Sequence, residues 1–362
     1  MRIPTSYVLM VVAGCAIDPT PVGFDKQPQR TSVGPESMPG DVDSEPDPDP
    51  DGDPDTSDPV DSGDSGDSGD TGGPPVSVDC STLPSEPNDV TVVAEARGYH
   101  GLVLDDDGRM IGWDGRSGLV AADSDGSSEL FVPGVESAEQ MVRLDDGRIF
   151  LVNQYEFGVD LVTPDGSRSA FVRGLNGDFP YGIVLGPDGK LYVVDGNIYR
   201  LDPDTAELTT LWVNERRRSM PHTVGFSLDS RTMYIASVGD GWMFSVELDE
   251  NLDLVGEPEQ FAYMEGGWQD TAVVDICGNI YVADYYTSRI YRVSAEGDVE
   301  IFFQTNERGY PHGFIWGTGT DGWDEHTLYA PQPYSQNSVN AYEIGVIDGS
   351  AVREWNGVRV GR

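Results

Sequence analysis

Four histidines occur in the 362 residues, and three of them stand at equivalent places of a repeated sequence. His100, His222 and His312 each open a segment that runs through an apolar stretch into a turn. Stepping back eight positions from the turn residues Gly108, Gly147, Gly189, Ser230 and Gly278 gives His100, Glu139, Tyr181, His222 and Asp270. The sixth copy turns irregularly, but Pro311, His312 and Gly313 align with Tyr99, His100 and Gly101 and put His312 in the same phase. Residues that share one phase of a repeat occupy one place in every structural unit, so they converge wherever the units converge. Imidazoles meeting a carboxylate are metal-ligand chemistry. Three neutral imidazoles point to zinc first, with iron or copper as alternatives, and disfavour calcium, which takes oxygen donors. His100, His222, Asp270 and His312 are therefore the candidate ligands. An ion with an open position acts as a Lewis acid or lowers the pKa of bound water. Glu139 and Tyr181, expected to face the histidines across the channel, are then the candidate general base and a hydrogen-bond donor or acid. The competing reading has these residues capping strands and holding ordered water.

The unit that positions them is about 40 residues long: an apolar run, a tight turn, a second apolar run and two further short strands. The clearest copies run from Gly101 to Gly112, from Gly182 to Val193 and from Thr271 to Val282, with weaker ones starting at Gln140, Thr223 and Gly313. The second hairpins turn at Asp125-Gly126, Asp165-Gly166, Asp204-Thr205, Glu250-Asn251, Glu296-Gly297 and Asp348-Gly349. Short β-rich runs between such turns predict four-stranded antiparallel blades, and six copies predict an all-β, six-bladed β-propeller over residues 80–362. Closing the ring needs a strand from the other end of the chain. Residues 89–96 are the first candidate for that outer strand and residues 352–355 the competitor. With the first choice, Cys80 enters on the face of the turn that holds Cys277, and the two are expected to form a disulfide.

The segment Gly278-Asn-Ile-Tyr-Val-Ala-Asp284, followed by Arg289-Ile-Tyr-Arg292, resembles the regucalcin-like (senescence-marker-protein/gluconolactonase) and NHL-type six-bladed propellers. The resemblance extends over essentially all of residues 89–362. It implies the propeller fold and leaves function open, because such folds host hydrolases, lyases and binding proteins. Regucalcin-like enzymes hold a divalent ion at this mouth through a Glu, two Asn and an Asp. Asp270 matches the aspartate, His222 stands where an Asn is expected, Pro180-Tyr181 replaces an Asn-Asp pair, and His100 stands near the Glu. The Pro-His pairs at 221–222 and 311–312 look more like the peptidyl-α-hydroxyglycine lyases, which are similar in holding zinc through three histidines.

The first 15 residues read as a lipoprotein signal: Arg2, an apolar run from Val8 to Ala13, then Val12-Ala13-Gly14-Cys15, which resembles a lipobox. Lipidation at Cys15 would anchor the chain to a membrane, with export to the bacterial cell envelope and the outer membrane as the expected address. Residues 16–79 are rich in Asp, Pro, Gly and Ser and nearly free of large apolar side chains, so a disordered acidic linker is expected there. The spaced aspartates between Asp47 and Asp58 imitate a calcium loop but end in Asp, not Glu, and are read as a solvated spacer. A formal charge of −41 excludes nucleic acid as a partner. Arg97, Arg217, Trp268 and Arg308 surround the candidate mouth and suit a small-molecule or peptide ligand with an anionic or ring-shaped group. His326 is out of phase and is read as a surface residue. A monomer is expected. The composite reading is a metal-dependent hydrolase of lactones or esters, or a lyase, in the cell envelope. The alternative is a non-catalytic propeller that holds a ligand or a protein. No Ser-His-Asp or Cys-His nucleophile pattern and no phosphate loop is present.

Overall fold

Each apolar run becomes one strand, and every tight turn reverses the chain, so that four neighbouring strands pair into one antiparallel sheet. The computed structural model describes residues 78–362 apart from 94–95, 178–179, 216–218, 306–309, 334–337, 356–357 and 360–362. The N-terminal segment with Cys15 and the acidic tract lie outside the described residues. Six four-stranded sheets follow one another along the chain: 102–133, 141–173, 182–212, 220–263, 269–304, and 315–343 completed by Asp89–Val93. This is the expected six-bladed propeller.

The turn alignment that placed Ser230 beside four glycines has a backbone basis. Gly108, Gly147, Gly189 and Gly278 take φ of 73°, 85°, 73° and 84°, and Ser230 takes 57°, the same left-handed conformation. A side chain there costs about 1–2 kcal/mol, which is why glycine fills the other copies.

The core is divided as the ring is. Six buried clusters stand one at each blade interface, among them Ile111 with Leu151, Phe150 with Ile183, Val194 with Phe226, and Tyr234 with Val282. The remaining two join Tyr281 to Leu328 and Met110 to Tyr329. Burying a side chain of this size contributes about 1.5–3 kcal/mol, and no blade can bury its face without a neighbour. The irregular turn of blade six serves the last interface. Trp323 is fully buried there and donates its indole N–H to the Gly108 carbonyl at 2.6 Å, in the first turn of blade one.

Ring closure uses the N-terminal strand: Asp89–Val93 pairs with Ser338–Glu343 from Asp89↔Glu343 to Val93↔Val339. The competing segment has another role. With the outer edge of blade six already filled, Asp348-Gly349 is not a hairpin turn, contrary to the sequence reading. It leads into a short 3-10 turn, Gly349–Val352, and Asp348 bridges to Asp275 under blade five. Glu354–Trp355 then pairs with Val358–Arg359 in a separate two-stranded ribbon. Cys80 and Cys277 form the expected disulfide, with Cα atoms 5.6 Å apart.

Candidate functional site

The six in-phase residues precede or open the innermost strands, and close approach of those strands brings them together. A Cβ on Gly313 would collide with the His100 carbonyl oxygen, and one on Gly101 with the backbone of Glu139 and Met141. Glycine just after the site residue therefore lets blades six, one and two meet backbone to backbone.

His100, Asp270 and His312 each offer a ligand atom, and these atoms lie within 4.8 Å of one another. His312 Nδ1 contacts Asp270 Oδ2, and the His100 and His312 rings lie 4.1 Å apart. His222 reaches the other oxygen of the same carboxylate, its Nδ1 3.2 Å from Asp270 Oδ1, although it stands outside the tightest group. Glu139, read from sequence as facing the histidines across the channel, instead lies beside them and contacts His100 Nδ1. Tyr181 stacks on His222 with ring centroids 4.2 Å apart.

The cluster is deeply set. Asp270 and His312 are 2% exposed and His222 is 4% exposed, while the His100 side chain keeps 15%. Burial pushes the His100 pKa well below its ordinary 6.5, assisted by the neighbouring His312 and only partly opposed by Asp270. His222 is lowered in the same way, burial outweighing the attraction of Asp270. Burial alone would raise the Asp270 pKa, but the imidazoles of His312, His222 and then His100 more than offset it and hold the carboxyl well below the usual carboxylate range. Near pH 7 the site thus presents neutral imidazoles at His100 and His222 and an ionised carboxylate, the protonation states in which these groups bind metal. His222 Nδ1 is also buried, and although it lies 3.2 Å from Asp270 Oδ1 the geometry is not that of a hydrogen bond. A polar atom left in that state is costly unless a ligand uses it. The residues fit a divalent ion.

A pH dependence follows. The folded chain binds protons at His100 and His222 less readily than the unfolded chain does, so stability is expected to fall as pH drops below about 6.5. The Asp270 contribution is present above the ordinary carboxyl pKa and is lost as pH falls through its depressed value, which adds a second decline in the same direction. Urea midpoints of metal-free protein should fall between pH 7.5 and 5.5, and fall less in His100→Gln. A flat profile would contradict neutral buried imidazoles.

Among the proposed ligand-binding residues, Arg217 and Arg308 lie outside the described residues. Arg97 is half-buried and donates from Nη1 to the Ala96 carbonyl at 3.1 Å. Trp268 is half-buried at the start of blade five, its ring 5.6 Å from Tyr285, and its backbone N–H donates to Asp284. His326 lies on blade six with its Nδ1 3.2 Å from Asp324. Two neighbours of the cluster escaped the sequence reading. Tyr285, in the turn after Ile280–Asp284, lies 5.0 Å from the His312 ring and 5.0 Å from Tyr310. Gln140, next to Glu139, hydrogen-bonds the peptide carbonyl of Asp270.

The description "SMP-30/Gluconolactonase/LRE-like region" matches residues 84–317, well over half of the chain. The chain belongs to this family. No curated protein matches the sequence. Solved members of similar fold include a gluconolactonase from Xanthomonas campestris, 14% identical with a TM-score of 0.58, covering 70% of this chain and 89% of that one. A regucalcin from Agrobacterium tumefaciens, described as a calcium-binding protein, is 16% identical with a TM-score of 0.58, covering 71% and 94%. A luciferin-regenerating enzyme is 16% identical with a TM-score of 0.55, covering 72% and 97%. Likeness at these identities concerns the fold; the family's propeller is shared, and the donor set must be read from this chain.

Proposed function

We propose that the cluster holds a divalent transition ion, zinc before iron or copper, through His100, Asp270 and His312 with His222 as a fourth donor. The domain is then a metal-dependent hydrolase of lactones or esters, or a lyase. The single observation that carries this reading is the meeting of three imidazoles and one ionised carboxylate on the ring axis. Such a donor set suits zinc better than calcium, which takes six to eight oxygens. A calcium-binding relative makes calcium the ion to run against zinc. A bound ion of this kind would supply Lewis acidity and a more acidic water. Around it, the Glu139 carboxylate on His100 Nδ1 keeps the ring proton on that nitrogen and leaves Nε2 as a lone pair. A proton released by water can pass to Glu139, and the Tyr181 hydroxyl can donate to a leaving oxygen. Arg97 and Trp268 would meet the substrate at the rim.

We also place the chain in the cell envelope, lipid-anchored through Cys15, with the acidic tract as its tether. Elemental analysis of residues 80–362 should find one equivalent of zinc, iron or copper, lost on chelation and in His222→Ala. Less than half an equivalent after supplementation with each ion would end this reading, and stoichiometric calcium would replace it. The mass of the N-terminal peptide from full-length protein tests the lipid on Cys15. The depth of Asp270 and His312 favours a second reading, a closed structural ion in a binding propeller. Metal without turnover of any lactone or ester would select it.

A further inference from the structure

The position that follows each in-phase residue holds Gly101, Gln140, Gly182, Thr223, Thr271 and Gly313. Five are small, as close strand packing around a channel demands. Gln140 is long, and its side chain spans the space. Its Nε2 donates to the Asp270 carbonyl at 2.9 Å, linking blade two to blade five. Its Oε1 accepts from the Ile183 amide of blade three at 3.3 Å and from the Thr223 hydroxyl of blade four at 3.1 Å. Its backbone N–H donates to the Tyr181 carbonyl at 3.2 Å. The residue is buried. A methionine would fill the same volume, so packing alone gives no reason for an amide whose hydrogen bonds reach three other blades.

We infer that Gln140 is a positioning residue for the ion site: it holds the peptide of Asp270, and with it the carboxylate, in place across the channel. This rests on the proposed metal reading. Blades two and five are not neighbours in the ring and come together only around the axis, Asp270 belonging to the blade three steps from Glu139. A shared amide fixes that separation in a way that neighbour-to-neighbour packing does not. Partners that orient a ligand typically change metal affinity by about 10–100-fold when removed.

The test uses zinc affinity by chelator competition, the visible absorption of the cobalt-substituted protein, and the melting temperature of the metal-free form. Gln140→Met is expected to bind zinc about 10–100-fold more weakly and to show an altered cobalt spectrum. Thr223→Val, which removes one support of Oε1 and leaves the amide in place, is expected to weaken zinc several-fold. If Gln140→Met lowers only the melting temperature, with affinity and spectrum unchanged, Gln140 is a structural strut and the inference falls. Should Gln140→Met fail to fold, an unchanged zinc affinity in Thr223→Val overturns it just as well. Wild-type protein that binds neither zinc nor cobalt defeats the metal reading itself, and this inference with it.

Discussion

Asp270→Asn is expected to weaken zinc binding by about 100-fold or more while the ring stays folded. Asparagine matches the side chain in shape, so the Gln140 contact to the residue's carbonyl and the packing of Gln269–Val274 are retained. What disappears is the single negative charge that touches His312 and lies 3.2 Å from His222. With an ion bound, the carboxylate and the ion would form a buried charged pair, and removing one partner of such a pair costs about 3–5 kcal/mol. At about 1.4 kcal/mol per tenfold, that amounts to two orders of magnitude or more in affinity for an ion that needs the charge. The metal-free variant should tolerate the change, because burial already keeps His100 and His222 neutral near pH 7. It should also lose the acid-induced decline that belongs to Asp270. Chelator competition at pH 7.5 measures the first, and urea titrations of the metal-free protein carried from pH 7.5 to well below pH 4 measure the second. Zinc affinity within threefold of wild type would mean that any bound ion lies elsewhere.

Much of this site is legible in the sequence because the ring turns sequence phase into spatial position. One phase names six residues, and closure of the blades forces them to one axis, so His100, His312 and Asp270 needed no contact prediction. Phase cannot say which neighbours touch. Phase alone puts Glu139 opposite the histidines, yet blades one and two are adjacent and the carboxylate meets His100 sideways. Gln140 was missed because its phase carries small residues elsewhere; one long polar side chain among glycines and threonines was the available signal. Tyr285 was missed for another reason. It lies in the turn beyond the second strand of blade five, where loop conformation, not periodicity, aims the ring at His312. The same limit explains Asp348-Gly349. Its residues favour a turn, but which strand fills the last edge is decided by competition between two chain ends, and Asp89–Val93 takes it.

That competition makes the disulfide the second site of large expected effect. Cys277→Ser, or reduction of the native protein, is expected to lower unfolding stability by about 3–5 kcal/mol. The bridge spans 197 positions. In the chain-entropy account, a loop of that length takes about 5 kcal/mol from the unfolded state's freedom. The native segment has other attachments: Asp79 caps the turn Cys80–Thr82, and Arg292 Nη1 donates to the Pro84 carbonyl at 2.6 Å. These hold a segment already docked but do little to bring the chain ends together. The consequence falls on blade six, whose outer strand comes from the N-terminus while its partner Ser338–Glu343 lies near the other end of the chain. Amide exchange at Val339 and Ala341 should accelerate first on reduction. Asp270 stands near the start of the strand Gln269–Val274 and Cys277 in the turn beyond its end, so zinc affinity should not change in the folded variant. Urea midpoints with and without reductant check the magnitude, and an unchanged midpoint would mean that packing alone holds the ring shut. Because thiols persist in a reducing cytosol, the same loss would appear in protein made there, and the staple is effective only where the chain meets oxidising surroundings.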